Sequence, residues 1–218
     1  MRKLAIVLVP LLLMALVVGA IGCGGEGEPT PTPTATPTPT PTGVTENFRL
    51  LISDDANVIE EFEHLYANIT SVGLHYVGAS GTESGEWLEF PPDVEVVDLT
   101  ELKGENAQVI WSGNIPAGNY TKVFIYVSDV WGNLTNTDGN ETVDVKLPSN
   151  KLQISSPFVV TNDSVTFFVF DVAVVAAGSD QSGIKYILKP QIASSGAGQK
   201  FQETVPKGKS GKPPKPET

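Results

Sequence analysis

The chain is expected to fold as an all-β domain, an antiparallel sandwich of immunoglobulin-like or transthyretin-like type. Three observations predict this. Val143, Val145 and Leu147 alternate with Thr142, Asp144 and Lys146, the period-2 pattern of a half-buried strand. Ser164–Val175 is apolar on both parities and rich in β-branched and aromatic residues, as a central strand is. Turn signals recur at short intervals, at 78–85, 91–92, 115–119, 136–140 and 180–183, and no stretch supports a βαβ unit.

The first 22 residues are a leader. Arg2 and Lys3 precede an apolar run from Leu4 to Gly22, and small residues lead to Cys23. A basic start, an apolar core and a small-residue cut site form a secretory signal. Ala20, Ile21 and Gly22 before Cys23 resemble a bacterial lipobox. That resemblance implies cleavage after residue 22 and diacylation of Cys23. An uncleaved membrane anchor is the alternative, since ~20 apolar residues can span a bilayer. Both readings place the remainder outside the cytoplasm.

Residues 23–43 follow as a stalk. Pro29–Thr42 alternates Pro with Thr or Ala. Every second backbone donor is missing and φ is fixed there, so helix and sheet are both blocked. Such a tract extends as polyproline II and spans roughly 40 Å.

Residues 44–195 carry the domain. Strands are expected at Phe48–Ser53, Leu65–Val77, Glu86–Phe90, Glu95–Leu99, Val109–Trp111, Tyr120–Val127, around Val143–Leu147, and at Lys151–Val160, Ser164–Val175 and Ile184–Ile192. Asn57–His64 and Leu99–Gln108 leave room for a short helical turn each. Residues 196–218, rich in Lys, Gly and Pro, read as a disordered basic tail.

Cys23 is the only cysteine. Once it is lipidated, the domain holds no disulfide, no cysteine zinc site and no thiol nucleophile. Residues 44–198 contain 7 Lys and Arg against 21 Asp and Glu, a difference of −14. So acidic a body is unsuited to nucleic acid, whose binding rests on neutralised phosphates.

Several motifs resemble a domain-of-unknown-function family of bacterial and archaeal extracytoplasmic lipoproteins. They are Leu51–Asp55 (LISDD), Asn68–His75 (NITSVGLH), Trp87–Phe90 (WLEF), Val97–Leu102 (VDLTEL), Ile115–Thr121 (IPAGNYT), Phe170–Val172 (FDV) and Tyr186–Pro190 (YILKP). The resemblance spans residues 47–192 and implies a fold, a location and a module type, but no activity.

The most specific block, Pro116-Ala117-Gly118-Asn119-Tyr120, is expected to be structural. Pro116 presets φ at the first corner, Gly118 suits a positive φ, and Tyr120 opens the next strand. Its hydroxyl is placed to bond back across the turn, like the tyrosine corner of immunoglobulin-type sandwiches.

Little in the chain points to catalysis, and the expectation is a non-enzyme. His64 and His75, the only histidines, are an odd 11 residues apart. On one unbroken strand they face opposite sides, unless a bulge intervenes. No nucleophile elbow, zinc-helix motif or phosphate loop is present. Acidic loops offer weak calcium candidates, Asp54, Asp55 and Asp138, without the ligand spacing of a calcium loop. Among the tryptophans, Trp87 and Trp111 lie in strand-like runs and are expected in the core. Trp131, beside a turn-like Ser128–Asn133 segment, is the candidate for an exposed sugar-stacking ring.

The expected function is therefore a membrane-anchored extracytoplasmic lipoprotein carrying a non-catalytic binding or adhesion module. Its partners are the membrane, through Cys23, and a glycan or envelope protein, with no cofactor beyond a possible Ca²⁺. The alternative is a structural envelope protein that only packs against neighbouring surface proteins.

Overall fold

A computed structural model describes residues 45–54, 58–81, 84–135, 141–179 and 183–205. Residues 1–44, with the expected leader, Cys23 and the expected stalk, lie outside the described residues. The domain is all-β, with twelve strands in chain order: β1 Phe48–Asp54, β2 Phe62–Tyr76, β3 Glu86–Phe90, β4 Val96–Asp98, β5 Asn106–Gly113, β6 Gly118–Leu134, β7 Thr142–Lys146, β8 Lys151–Val160, β9 Thr166–Ser179, β10 Gly183–Pro190, β11 Gly196–Ala197 and β12 Gln202–Glu203. Two short 3₁₀ turns, Val58–Glu61 and Leu99–Glu101, fall in the stretches expected to hold helical turns. Asp98 caps the second by accepting from the Thr100 amide.

Two sheets enclose one core. The first runs β12-β5-β1-β9-β10-β7. The second is centred on β2 and β6, with β3 and β4 beyond β2 and with β7 and β8 beyond β6. β7 pairs with β10 and with β6, so it joins the two. Most pairings are antiparallel, but the sheet is mixed. β1–β9, β10–β7 and β12–β5 are parallel.

Alternation decides which side chains meet inside. Phe48, Leu50 and Ile52 of β1 and Phe168, Phe170 and Val172 of β9 face Val72 and Leu74 of β2 and Val123 and Ile125 of β6. Packed rings run through the centre: Phe48–Phe158 stacked at 5.5 Å, Tyr120–Phe158 stacked at 5.1 Å and Phe158–Phe168 tilted at 5.0 Å. Fully burying each such side chain contributes about 1.5–3 kcal/mol.

β9 is apolar on both parities because both its faces are covered. The chain after residue 195 pairs with β9 as β11, crosses the outer face of the first sheet, and pairs with β5 as β12. Phe201 packs on Phe167 at 5.4 Å, and Glu203 lies 3.5 Å from Arg49. Residues 196–205 are therefore a structured strap and not the disordered tail expected from 196. Phe201 supplies the apolar anchor that lysine-rich composition concealed. Residues 206–218 lie outside the described residues.

Candidate functional site

The Pro116–Tyr120 motif folds as a clasp. Tyr120 is fully buried and donates its hydroxyl to the Pro116 carbonyl at 2.7 Å. Gly118 has φ +145°, and a Cβ there would lie 2.8 Å from the Tyr76 ring and 3.0 Å from the Gly78 carbonyl. Tyr76 completes the corner with its hydroxyl on the Ala117 carbonyl at 3.3 Å. Burial raises the Tyr120 phenol above its ordinary pKa, so it remains a donor. Tyr186 is a second buried donor. Desolvation, then its bond to Glu61, pushes its pKa up to about 12.

Register shifts in β2 between Asn68 and Ile69 and between Ile69 and Ser71 change which residues face outward. Leu65, Ala67 and Ile69 are buried before them, Val72 and Leu74 after. A bulge reverses strand parity. His64, Tyr66, Ser71, Gly73 and His75 therefore share the outer face of the second sheet, and the two histidines end on one side. Eleven positions along a strand still separate them by roughly 35 Å, so they form two sites.

At one end, His64 Nδ1 lies 2.7 Å from Asp98 Oδ2, and its ring stacks on Tyr66 at 5.6 Å. Asp98 also accepts from the Leu65 amide and the Thr100 hydroxyl. Tyr66 has a raised pKa, first from burial and then from Asp98, Glu101 and Glu63. Trp131 pairs with Tyr66 in register, with its ring 5.7 Å away.

Trp131 is thus not at a loop tip. β6 runs on to Leu134, and the indole is 2% exposed. Ser128-Asp129 resembles a turn in sequence, but Ser128 is an extra residue of β6 at the register shift opposite Asn68 and Ile69, and the strand continues through it. A ring so covered has no free face for a sugar.

The exposed ring is Trp87 instead, at 42%. It lies on edge strand β3, opposite His75. Core placement was expected from the aromatic run, yet within Glu86–Phe90 Trp87 shares parity with Glu89 and not with the partly buried Leu88 and Phe90. That parity was the overlooked signal. Trp111 is in the core, as expected.

Trp87 is held by its neighbours. His75 and Phe124 lie 4.9 Å away on either side. Phe124 lies flat over Gly73, where a Cβ would fall 2.0 Å from its Cζ. Only glycine opposite permits that pose, the arrangement that fills a strand glycine with a cross-strand ring. Tyr126 meets Phe124 edge-on at 4.8 Å. Asn150, at φ +50°, turns the chain into β8 and delivers Lys151 to the same place. Its Nζ stands 4.2 Å from the Phe124 centroid, 5.1 Å from Trp87 and 5.2 Å from Tyr126. Ser71 donates to Glu89 at 2.7 Å beside this cluster, and Gln153 is exposed opposite Phe124. The face can therefore present one pinned, exposed indole ringed by hydrogen-bonding groups.

Of the calcium candidates, only Asp54 lies among the described residues. Asp54 is fully buried at the end of β1, and Asp55 and Asp138 lie outside the described residues. Among the described residues no group of three His, Cys, Asp or Glu could hold a metal ion. A polar cavity of about 150 Å³ lies under the strap, lined by Ser53, Asp171, Gln199 and Lys200 among others. Within it Ser53 donates to Asp171 at 2.7 Å.

Comparison with known proteins gives a family match. The family model described as a domain of unknown function (DUF4382) matches residues 45–190. No curated protein and no solved structure matches the chain.

Proposed function

The chain belongs to the DUF4382 family, matched over more than half its length, and from its geometry we propose that it is a glycan-binding surface lipoprotein. In this reading Cys23 carries the lipid, Pro29–Thr42 is a spacer, and the sandwich binds without catalysis. The observation that carries the binding role is Trp87. A large aromatic side chain normally gains by burial, and here it stands 42% exposed while three neighbours restrain it. A pre-positioned ring loses little freedom when a ligand stacks on it. Glu89, Gln153 and Ser71 supply surrounding donors and acceptors that sugar hydroxyls require. His64 is held by Asp98 and His75 by Thr121, each through Nδ1 at 2.7 Å, which fixes both rings on the outer face.

Trp87→Ala is expected to abolish retention on cell-wall polysaccharide while lowering the melting temperature less than truncation of a fully buried ring does, because 42% of the residue is already in solvent. Unchanged retention would remove the binding face from β3. The anchor has its own test. Cys23→Ser is expected to stop incorporation of labelled fatty acid, and label retained by that variant would overturn lipidation at Cys23.

A further inference from the structure

Phe124 is the floor and Trp87 and Tyr126 are the walls of an aromatic box, and the box already holds a cation. The ammonium of Lys151 lies 4.2–5.2 Å from the three ring centroids. Aromatic faces attract cations through their quadrupole within about 6 Å, and boxes of several rings are used to recognise ammonium ligands. We propose that this box is the specificity site of the binding face and that its ligand is a protonated amino sugar, with Lys151 occupying the ammonium position until the ligand arrives. The inference rests on the glycan-binding reading and narrows it.

Three observations select this class. The group already accommodated is a primary ammonium on an alkyl stem, which is what a deacetylated amino sugar offers. Trp87 extends from the box to solvent, so one sugar can stack there while its ammonium enters beside it. The charge of residues 44–198 is −14, so the long-range field attracts a cationic polymer and repels an anionic one.

Lys151 sets a threshold. A tethered group competes as if present at millimolar concentration or more. A lone ammonium is therefore excluded, and a ligand must add stacking or further sugar contacts to displace the lysine. Displaced, the Lys151 side chain swings toward solvent from the start of β8, with no change of backbone.

The test titrates the full-length protein with a glucosamine oligomer, at a pH where its amines are protonated, and with the N-acetylated oligomer of equal length. Tryptophan fluorescence, to which Trp111 and Trp131 add a buried background, reports binding by the native chain, and calorimetry reports it for the native chain and the variants. The expected result is binding of the deacetylated oligomer roughly tenfold tighter than the acetylated one. Trp87→Ala abolishes that preference. Lys151→Ala and Lys151→Gln, which vacate the box by different routes, tighten binding. Lys122→Ala removes the same charge from the same face outside the box and leaves the ratio unchanged. Equal affinity for both oligomers would overturn the amino-sugar inference and leave the glycan reading standing. A preference that Lys122→Ala and Lys151→Ala raise equally would assign it to the acidic body and also overturn the box. Binding of neither oligomer would overturn the amino-sugar inference, while the glycan reading is decided by retention on cell-wall polysaccharide.

Discussion

Gly118→Val is expected to lower the stability of the domain by roughly 3–5 kcal/mol, a sum of backbone strain and overpacking. Gly118 sits at φ +145°, a region that β-branched side chains strongly disfavour. The added Cβ also meets the Tyr76 ring at 2.8 Å and the Gly78 carbonyl at 3.0 Å. The backbone contact is the harder to relieve, because the Gly78 carbonyl accepts from the Asn119 amide at 3.0 Å and from the Asn119 side chain at 3.2 Å. Moving it would break the clasp that starts β6, and β6 pairs with β2, β7 and β8. Urea denaturation of the two proteins checks this. An unfolding free energy within ~0.5 kcal/mol of native would deny the glycine its role.

The clasp was legible in sequence because its signals are local. Proline, glycine and tyrosine at fixed offsets define a turn and its hydrogen bond with no help from distant residues. The strands were legible for the same reason, since alternation and turn residues act over a few positions. Each of the ten strands through Pro190 overlaps an expected segment, although β6 runs on past Val127 to Leu134 through the segment read as a turn. Both short helical turns, at Val58 and Leu99, lie in the two stretches that left room for them.

What escaped was set by long-range partners. Parallel pairing of β1 with β9 joins segments more than a hundred residues apart, and no local pattern encodes it. The strap was masked by its own composition. Phe201 is one apolar residue among Lys, Gly and Gln, but it meets Phe167 from the far side of the sheet. The bulge at Asn68–Ser71 was anticipated only as a condition for the two histidines to share a face, and the structure supplies it.

The box assembles from β2, β3, β6 and β8, so its members appear in sequence as unrelated residues. Gly73 looks like a weak point in a strand until Phe124 is laid over it. The parity of Trp87 with Glu89 was the one local sign of the site.

Trp131→Ala is the complementary experiment to Trp87→Ala, and its expected effect is opposite. Trp131 is 2% exposed and packs on Tyr66, so truncation leaves a cavity worth about 3–5 kcal/mol. For a domain of this size that corresponds to a fall in melting temperature of roughly 10 °C. The void cannot close easily. Trp131 bonds in register between Tyr66 of β2 and Asp144 of β7, and both strands are fixed by their other neighbours. Binding should survive wherever the variant is folded. In the β2 register Trp131 stands at Tyr66 and Trp87 at His75, nine residues and roughly 30 Å apart. Differential scanning calorimetry and oligomer titration on the same sample read both quantities. A native melting temperature with lost binding would return Trp131 to the ligand face and move the site to the His64 end of the sheet. A lowered melting temperature with native affinity places the energy of this indole in the fold and leaves recognition to the Trp87 end.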